Sequence, residues 1–367
     1  MKWAIIAGGA LIMLAGLDAG RLVAQNYQMP LGVPGFTYGA SAAMMGGYPP
    51  GAAYPYGPFG QPGGQPAEPP GYASTDDGSG PDASCPRLFV SAGAVILHRS
   101  FAPHEALATD PFLGETALDA HTLNQRWAVG PRIDATWCLN DQWAVEGLFF
   151  GVNDWDSHGA SASSASGLFV PGLSKEFLFQ DMTARCFSNL YSNELNLRDE
   201  LGPNITLLGG FRWLQLGDRL TMSGDSTISP NQGTAMTTAI TTNNLYGFQV
   251  GADLTLGEAD RGLCFKGYVK GGIYGNDVDL KQTTTGTGVF SDSYFTASRG
   301  QASFVGEVAF LPQYKLTEHL SIFGGYQALW LEAVALAPPQ LGSSGTPIHA
   351  SRTVFYNGGV AGLEARW

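Results

Sequence analysis

The stretch RWAVGPRIDATWCLN, residues 126–140, alternates without a break. Trp127, Val129, Pro131, Ile133, Ala135, Trp137 and Leu139 fall on one face, and Ala128, Gly130, Arg132, Asp134, Thr136 and Cys138 on the other. A period of two marks an extended strand. The apolar face opens and closes on Trp. At a rise of about 3.3 Å per residue and a tilt of roughly 40°, Trp127 and Trp137 stand about 25 Å apart along a barrel axis. That is the height of the apolar band between the aromatic girdles of a transmembrane β-barrel. A soluble sandwich with such rows would show water an aggregation-prone surface.

Comparable stretches recur at 87–98, 143–154, 188–198, 205–217, 244–256, 263–275, 302–316, 320–332 and 353–367, making ten with 126–139. The connections alternate in length: 99–125, LNDQ, 155–187, DELGPN, 218–243, GEADRG, 276–301, TEH and 333–352. Short turns at one rim and long loops at the other predict an all-β, antiparallel up-and-down barrel, with periplasmic turns and extracellular loops. The apolar stretch 167–181 leaves twelve strands as the alternative to ten. On this parity Trp137, Trp143, Tyr314 and Trp367 form a lower girdle, and Trp127, Trp213, Tyr246, Phe304 and Trp330 an upper one. The final strand ends in Trp367 after Phe355, Gly359, Ala361, Leu363 and Ala365 on the same face. It is expected to close the sheet on the first strand, to meet outer-membrane lipid, and to be read by the barrel-assembly machinery.

Composition agrees. Charged residues are 14%, Gly numbers 50, Pro 22, and the net charge is −12. Nucleic acid selects basic surfaces, so it is excluded as a partner. Residues 1–25 read as a signal peptide: Lys2 precedes an apolar run, Ala4 to Leu17, too short to span a bilayer. Cleavage is expected between Ala19 and Gln25, and export places the chain in the bacterial outer membrane. Residues 26–84 are rich in Pro, Gly, Ala and Tyr with no period, which predicts a disordered periplasmic linker of roughly 40–45 Å root-mean-square reach. Residues 85–367 form the barrel.

The inward parity carries charge: Arg132, Asp134, Glu146, Glu194, Arg198, Arg212, Asp253, Lys266, Lys270, Glu307, Lys315, Glu364 and Arg366. Opposite signs fall on neighbouring strands, Glu194 beside the Arg212 strand and Lys266 and Lys270 beside the Glu307 strand, where ion pairs would hold register. A ten-stranded lumen is only slightly wider than one that side chains fill. These charges are therefore either a polar plug or the lining of a selective pore.

Three segments resemble the β-barrel porin-7 family of bacterial outer-membrane proteins. They are NELNLRDELGPNITLLGGFRWLQLGDRL, NNLYGFQVGADL followed by FKGYVKGGIYGN, and FGGYQALWLEAVALAPPQL. The matching elements are Glu194 with Arg198, Gly210 to Trp213, Lys270 to Asn276, and Gly325 to Leu331. The resemblance implies a membrane barrel and no defined substrate.

Enzyme chemistry has little support. There is no G-x-S-x-G, P-loop, CxxC or HExxH, so neither a cofactor nor a metal is expected. A loop-borne hydrolase would have to draw on His104, His121, Asp154, Asp156 and His158. Of the four cysteines, Cys85 and Cys138 both lie at the short-turn rim and are the pair able to bridge. Cys186 and Cys264 fall at opposite ends, beyond the allowed Cα separation of about 7 Å. The expected role is a structural or passive small-solute barrel. The alternative is a surface-binding protein acting through loops 99–125 and 155–187.

Overall fold

The computed structural model describes residues 88–100, 104–123, 125–157, 159–171, 178–227, 232–257, 262–341 and 348–367. The expected signal peptide, the linker, Cys85 and His158 lie outside them. Ten strands close into a ring: β1 (Leu88–Arg99), β4 (Trp127–Cys138), β5 (Trp143–Asp156), β7 (Phe179–Gly202), β8 (Ile205–Ser226), β9 (Gly233–Leu256), β10 (Leu263–Gly286), β11 (Ser293–Lys315), β12 (Leu320–Val334) and β13 (Arg352–Arg366). Each pairs antiparallel with its neighbour. β1 meets β13 from Phe89↔Arg366 to Arg99↔Tyr356, and β5 meets β7 from Trp143↔Asp199 upward. Three short strands stand apart from the ring. β2 (Ala106–Asp110) and β3 (Glu115–Asp119) form a hairpin, and β6 (Ala160–Leu168) pairs with the upper end of β7. The apolar stretch 167–181 thus adds no strand to the ring.

The stagger of the ring can be read from its hydrogen-bonded neighbours. From Trp127 they run through His98, Asn357, Ala328, Val308, Val269, Ala252, Leu207, Asp199 and Trp143, and return to β4 at Leu139, twelve residues from the start. With ten strands this shear sets a tilt of about 40°. Side chains turned outward are apolar around the ring: Val129 and Ile133 on β4, Phe248 and Val250 on β9, Val269 and Ile273 on β10, Phe310 on β11. Among the described residues no core covers them, which is the outward face of a transmembrane barrel. Trp127, Phe304, Tyr246, Trp213 and Trp330 stand at one level, and Trp137, Trp143, Tyr314 and Trp367 about 25 Å lower along the axis. Trp330 lies flat over Gly306 on β11, where a Cβ would come within 2.2 Å of its ring. The short turns need little chain. Asn140 closes LNDQ by accepting from the amides of Gln142 (2.9 Å) and Trp143 (2.8 Å), as an Asx turn does.

Five strands outrun the expected lengths. β7 to β11 have 22–24 residues, whereas spanning needs about 9–11. The long connections 218–243 and 276–301 are mostly strand, rising beyond the upper aromatics as an upright wall. There the polarity of the two faces inverts while the parity continues. On β10, Phe265, Val269 and Ile273 point outward, but higher up Val278 and Leu280 point inward and Asp277, Asp279 and Lys281 point out. Above the lipid the outside is water, so the apolar face turns in. It packs on Leu107, Ala108 and Leu118 of the β2–β3 hairpin and Leu123 just after it, through Phe179, Met182, Leu220 and Met222.

Candidate functional site

The lumen at mid-height is crossed by one ion cluster. Arg212 on β8 binds Glu307 on β11 (Nη1–Oε2 2.8 Å) and Glu194 on β7 (Nε–Oε1 3.5 Å), all three almost wholly buried. Lys270 on β10 donates to Glu194 Oε2 at 2.9 Å and lies 3.9 Å from Glu146 on β5. Arg198 bridges Glu146 and Asp253. Neutral groups complete the shell. Gln249 donates to Glu194 (2.7 Å), Asn196 to Glu146 (2.9 Å) and Tyr268 to Glu307 (2.6 Å). A buried charge costs several kcal/mol unless it is paired and hydrogen-bonded. This shell meets most of that demand, leaving Arg212 Nη2, Glu194 Oε1 and Asp253 Oδ1 without a hydrogen bond.

The pairing differs from the expected one in direction. Register does set Glu194 opposite Arg212 and Lys270 opposite Glu307. Yet the short contacts of Lys270 run across the lumen to Glu194 and Glu146 instead of sideways to Glu307. The lumen is narrow enough that a long side chain reaches carboxylates on strands three and four places away. Sequence spacing cannot show that.

The other inward charges divide by level. Arg132 is buried and bonds to neutral groups, Gln327 Oε1 at 3.3 Å and the Tyr268 hydroxyl at 3.5 Å. Asp134 accepts from Ser91. Lower down, Lys266 pairs with Glu364 (3.0 Å), which also accepts from Gln313 (2.6 Å). Arg366 leaves the lumen: its Nε donates to the Glu318 carbonyl at 2.7 Å, capping the β11–β12 turn. Lys315 sits at the same rim, its amide bonded to Gly262 O. Arg366 is thus a rim residue, because its guanidinium is spent on the turn below it.

Above the cluster the mouth is filled by residues that the sequence reading missed. After β12 the chain turns inward, and Ala335, Leu336, Ala337, Pro338, Pro339 and Gln340 are buried. Asn243 on β9 clasps Ala335 with both side-chain atoms: Oδ1 accepts the amide and Nδ2 donates to the carbonyl, each at 2.8 Å. Asp218 on β8 accepts the Ala337 amide (2.9 Å) and pairs with Arg99 of β1 (2.7 Å). Beside them Cys186, Gln125 and Pro338 line a cavity of about 10 Å³, room for about one water. Asn243 and Asp218 could have been flagged only as polar residues on an inward parity beyond the expected strand ends.

Among the described side chains the rim candidates do not converge. His104 Nδ1 lies 3.3 Å from Asp119 Oδ2, and its ring stacks on His121 at 4.5 Å. Asp119 also accepts the His121 amide (2.7 Å), so its place is to cap the short helix Ala120–Thr122. Asp156 pairs with Arg185, whose guanidinium sits 4.5 Å from the Phe187 ring centroid. Among the described residues no three His, Cys, Asp or Glu are placed to hold a metal. Cys186 and Cys264 are separate buried thiols, while Cys138 is half-buried at the short-turn end of β4. Burial, with Asp218 alongside, pushes the Cys186 thiol well above the usual range.

No known family and no curated protein matches the sequence, so the porin-7 resemblance remains a resemblance. Solved structures that superpose are bacterial membrane barrels. The Escherichia coli outer membrane protease OmpT is 11% identical over 76% of this chain and 96% of its own, at a TM-score of 0.40. The P. putida toluene transporter TodX is 9% identical over 76% and 89%, at 0.29. Acinetobacter baumannii CarO is 10% identical over 77% and 98%, at 0.25. At these values the likeness carries no functional inference.

Proposed function

We propose that the protein is a bacterial outer-membrane barrel that is closed at rest and acts as a structural element of the envelope, not as a standing pore. The observation that carries this reading is the cross-lumen cluster. Arg212–Glu307 and Lys270–Glu194 tie strands three places apart across the lumen at 2.8 and 2.9 Å. A permeating solute would have to break buried ion pairs, each costly to separate in a low-dielectric interior. The outward apolar band and its two aromatic levels support the membrane setting, with lipid as the partner. The proposed orientation puts the short turns in the periplasm and the upright wall outside the cell.

Purified protein that gives a heat-modifiable band should leave a planar bilayer electrically silent. Steady ohmic steps at most insertions would show an open lumen and end this reading.

One observation favours surface binding as a second reading. Phe112 and Leu113 at the tip of the β2–β3 hairpin are 70% and 71% exposed. Asp110 holds them there, accepting from both amides (2.9 and 3.2 Å) and from Ser164 (2.9 Å) and Ser166 (3.3 Å) of β6. A rigid apolar tip loses little entropy on docking. If it docks, Phe112→Ser with Leu113→Ser should abolish attachment of cells displaying the protein, leaving surface abundance unchanged.

A further inference from the structure

The strap Val334–Leu341, which fills the mouth, differs in kind from the strands on either side of it. β12 keeps regular register with β13 down to Leu331↔Val354, then slips before Val334↔Arg352. In that slip sits Ala333, with φ of 57°, the sole non-glycine in the left-handed region among the described residues. An L-residue there costs roughly 1–2 kcal/mol and persists only when its surroundings enforce it. The enforcing contacts are side chains of the wall. The Ala333 carbonyl accepts from Asn276 (3.3 Å), Ser303 (2.7 Å) and Gln301. Asn243 and Thr241 (3.2 Å) hold Ala335, and Asp218 holds the Ala337 amide.

Beyond Val334 the strap pairs with no strand and is tied to the wall by side chain to backbone bonds, while the ring strands are secured by backbone ladders. Its apolar anchors are few, Val334 and Leu336 in one core cluster and Leu341 against another. A ladder opens only with the sheet. A segment fixed by a handful of discrete bonds, with a strained pivot at one end, opens by itself.

We infer that Val334–Leu341 is a lid that swings on Ala333 and controls access from the outer side to the polar lumen below. Its opening uncovers Asn243, Asn276 and Ser303 without breaking the ring. Asn243 is its latch, and Asp218, through Arg99, ties the latch side to β1. This rests on the proposed closed barrel and adds a means of exposing its interior. The ion cluster beneath remains as a second barrier, so lid opening admits solute to a polar vestibule and not through the membrane.

Hydrogen–deuterium exchange on the full chain in detergent, read by mass spectrometry, tests this. The Ala335 and Ala337 amides should exchange at least about tenfold faster than ladder amides at Leu329 and Val354. Asn243→Ala, which removes both latch bonds, should speed the strap by roughly ten- to a hundredfold while the ladder holds its rate. Ala333→Val, which puts a β-branched residue at a left-handed φ, should do the same from the pivot. Heat-modifiability of both variants shows that the ring has formed. Equal exchange of strap and ladder in the parent, or variants that accelerate both alike, would overturn the lid. Either result leaves the closed barrel standing, whereas conductance of the parent would sink the closed barrel without bearing on the lid.

Discussion

Arg212 shows most plainly what single residues do in this barrel. Its guanidinium answers two carboxylates, Glu307 and Glu194, and is 1% exposed. Removing one partner of such a group strands the others, at a cost of about 3–5 kcal/mol. Arg212→Ala should therefore lower the temperature at which the compact gel form is lost, and Arg212→Ala with Glu307→Gln should recover part of that loss. Asp110 makes a pH prediction at the rim. Amide donation from Phe112, opposed by some desolvation and helped by the Leu113 amide and the Ser164 and Ser166 hydroxyls, holds its carboxyl below the ordinary value. A folded-state pKa below the unfolded one gives stability that is present above the unfolded pKa, near 4, and lost as pH falls through the folded value. The β2–β3 tip should then become protease-sensitive in acid, and Asp110→Asn should be insensitive to pH. Cys186, whose thiol is pushed up by burial, should resist iodoacetamide at pH 8 until the protein is unfolded.

Among the strands, the polarity inversion separates what was readable from what was not. The rows Trp127 to Trp137 and Phe304 to Tyr314 announce spanning strands, since outward apolar residues have only lipid to face. The continuation of β9 as TAMTTAITT carries Ala235, Thr237, Ala239 and Thr241 inward. Small residues and threonines of that kind look the same on a loop. The ten strands were legible, but their upper halves were not, because the cue had been an apolar exterior and above the bilayer the exterior is water. Proline scanning should expose the difference. Val250→Pro, in the spanning part of β9, should abolish the heat-modifiable barrel. Thr238→Pro, in the upright wall, should leave it intact.

The barrel taken whole is a ring with a dry exterior belt and an interior filled in layers: ion cluster, strap, and hairpin-capped wall. Tryptophan placement makes the belt testable in vesicles. Trp127, Trp137, Trp143, Trp213, Trp330 and Trp367 turn outward near the two aromatic levels. Trp155 turns inward, fully buried, and donates to Leu97 O at 3.1 Å. Lipids brominated near the headgroup should quench most of the fluorescence, those brominated at the chain ends should quench less, and a residue of emission from Trp155 should survive both. Equal quenching at all depths would contradict the two-level arrangement.

The sequence by itself determined the strand parity, a barrel of ten strands with twelve as the alternative, and the sign of each face within the spanning segments. All of these follow from local alternation read against a solvent that is apolar at one level and aqueous at another. The partners inside the ring waited for the tertiary structure. Lys270 finds Glu194, and Asn243 finds Ala335, across space that no spacing along the chain encodes. Once ten strands curve shut, distance across the lumen becomes comparable to distance along the sheet, and closure alone decides which groups meet.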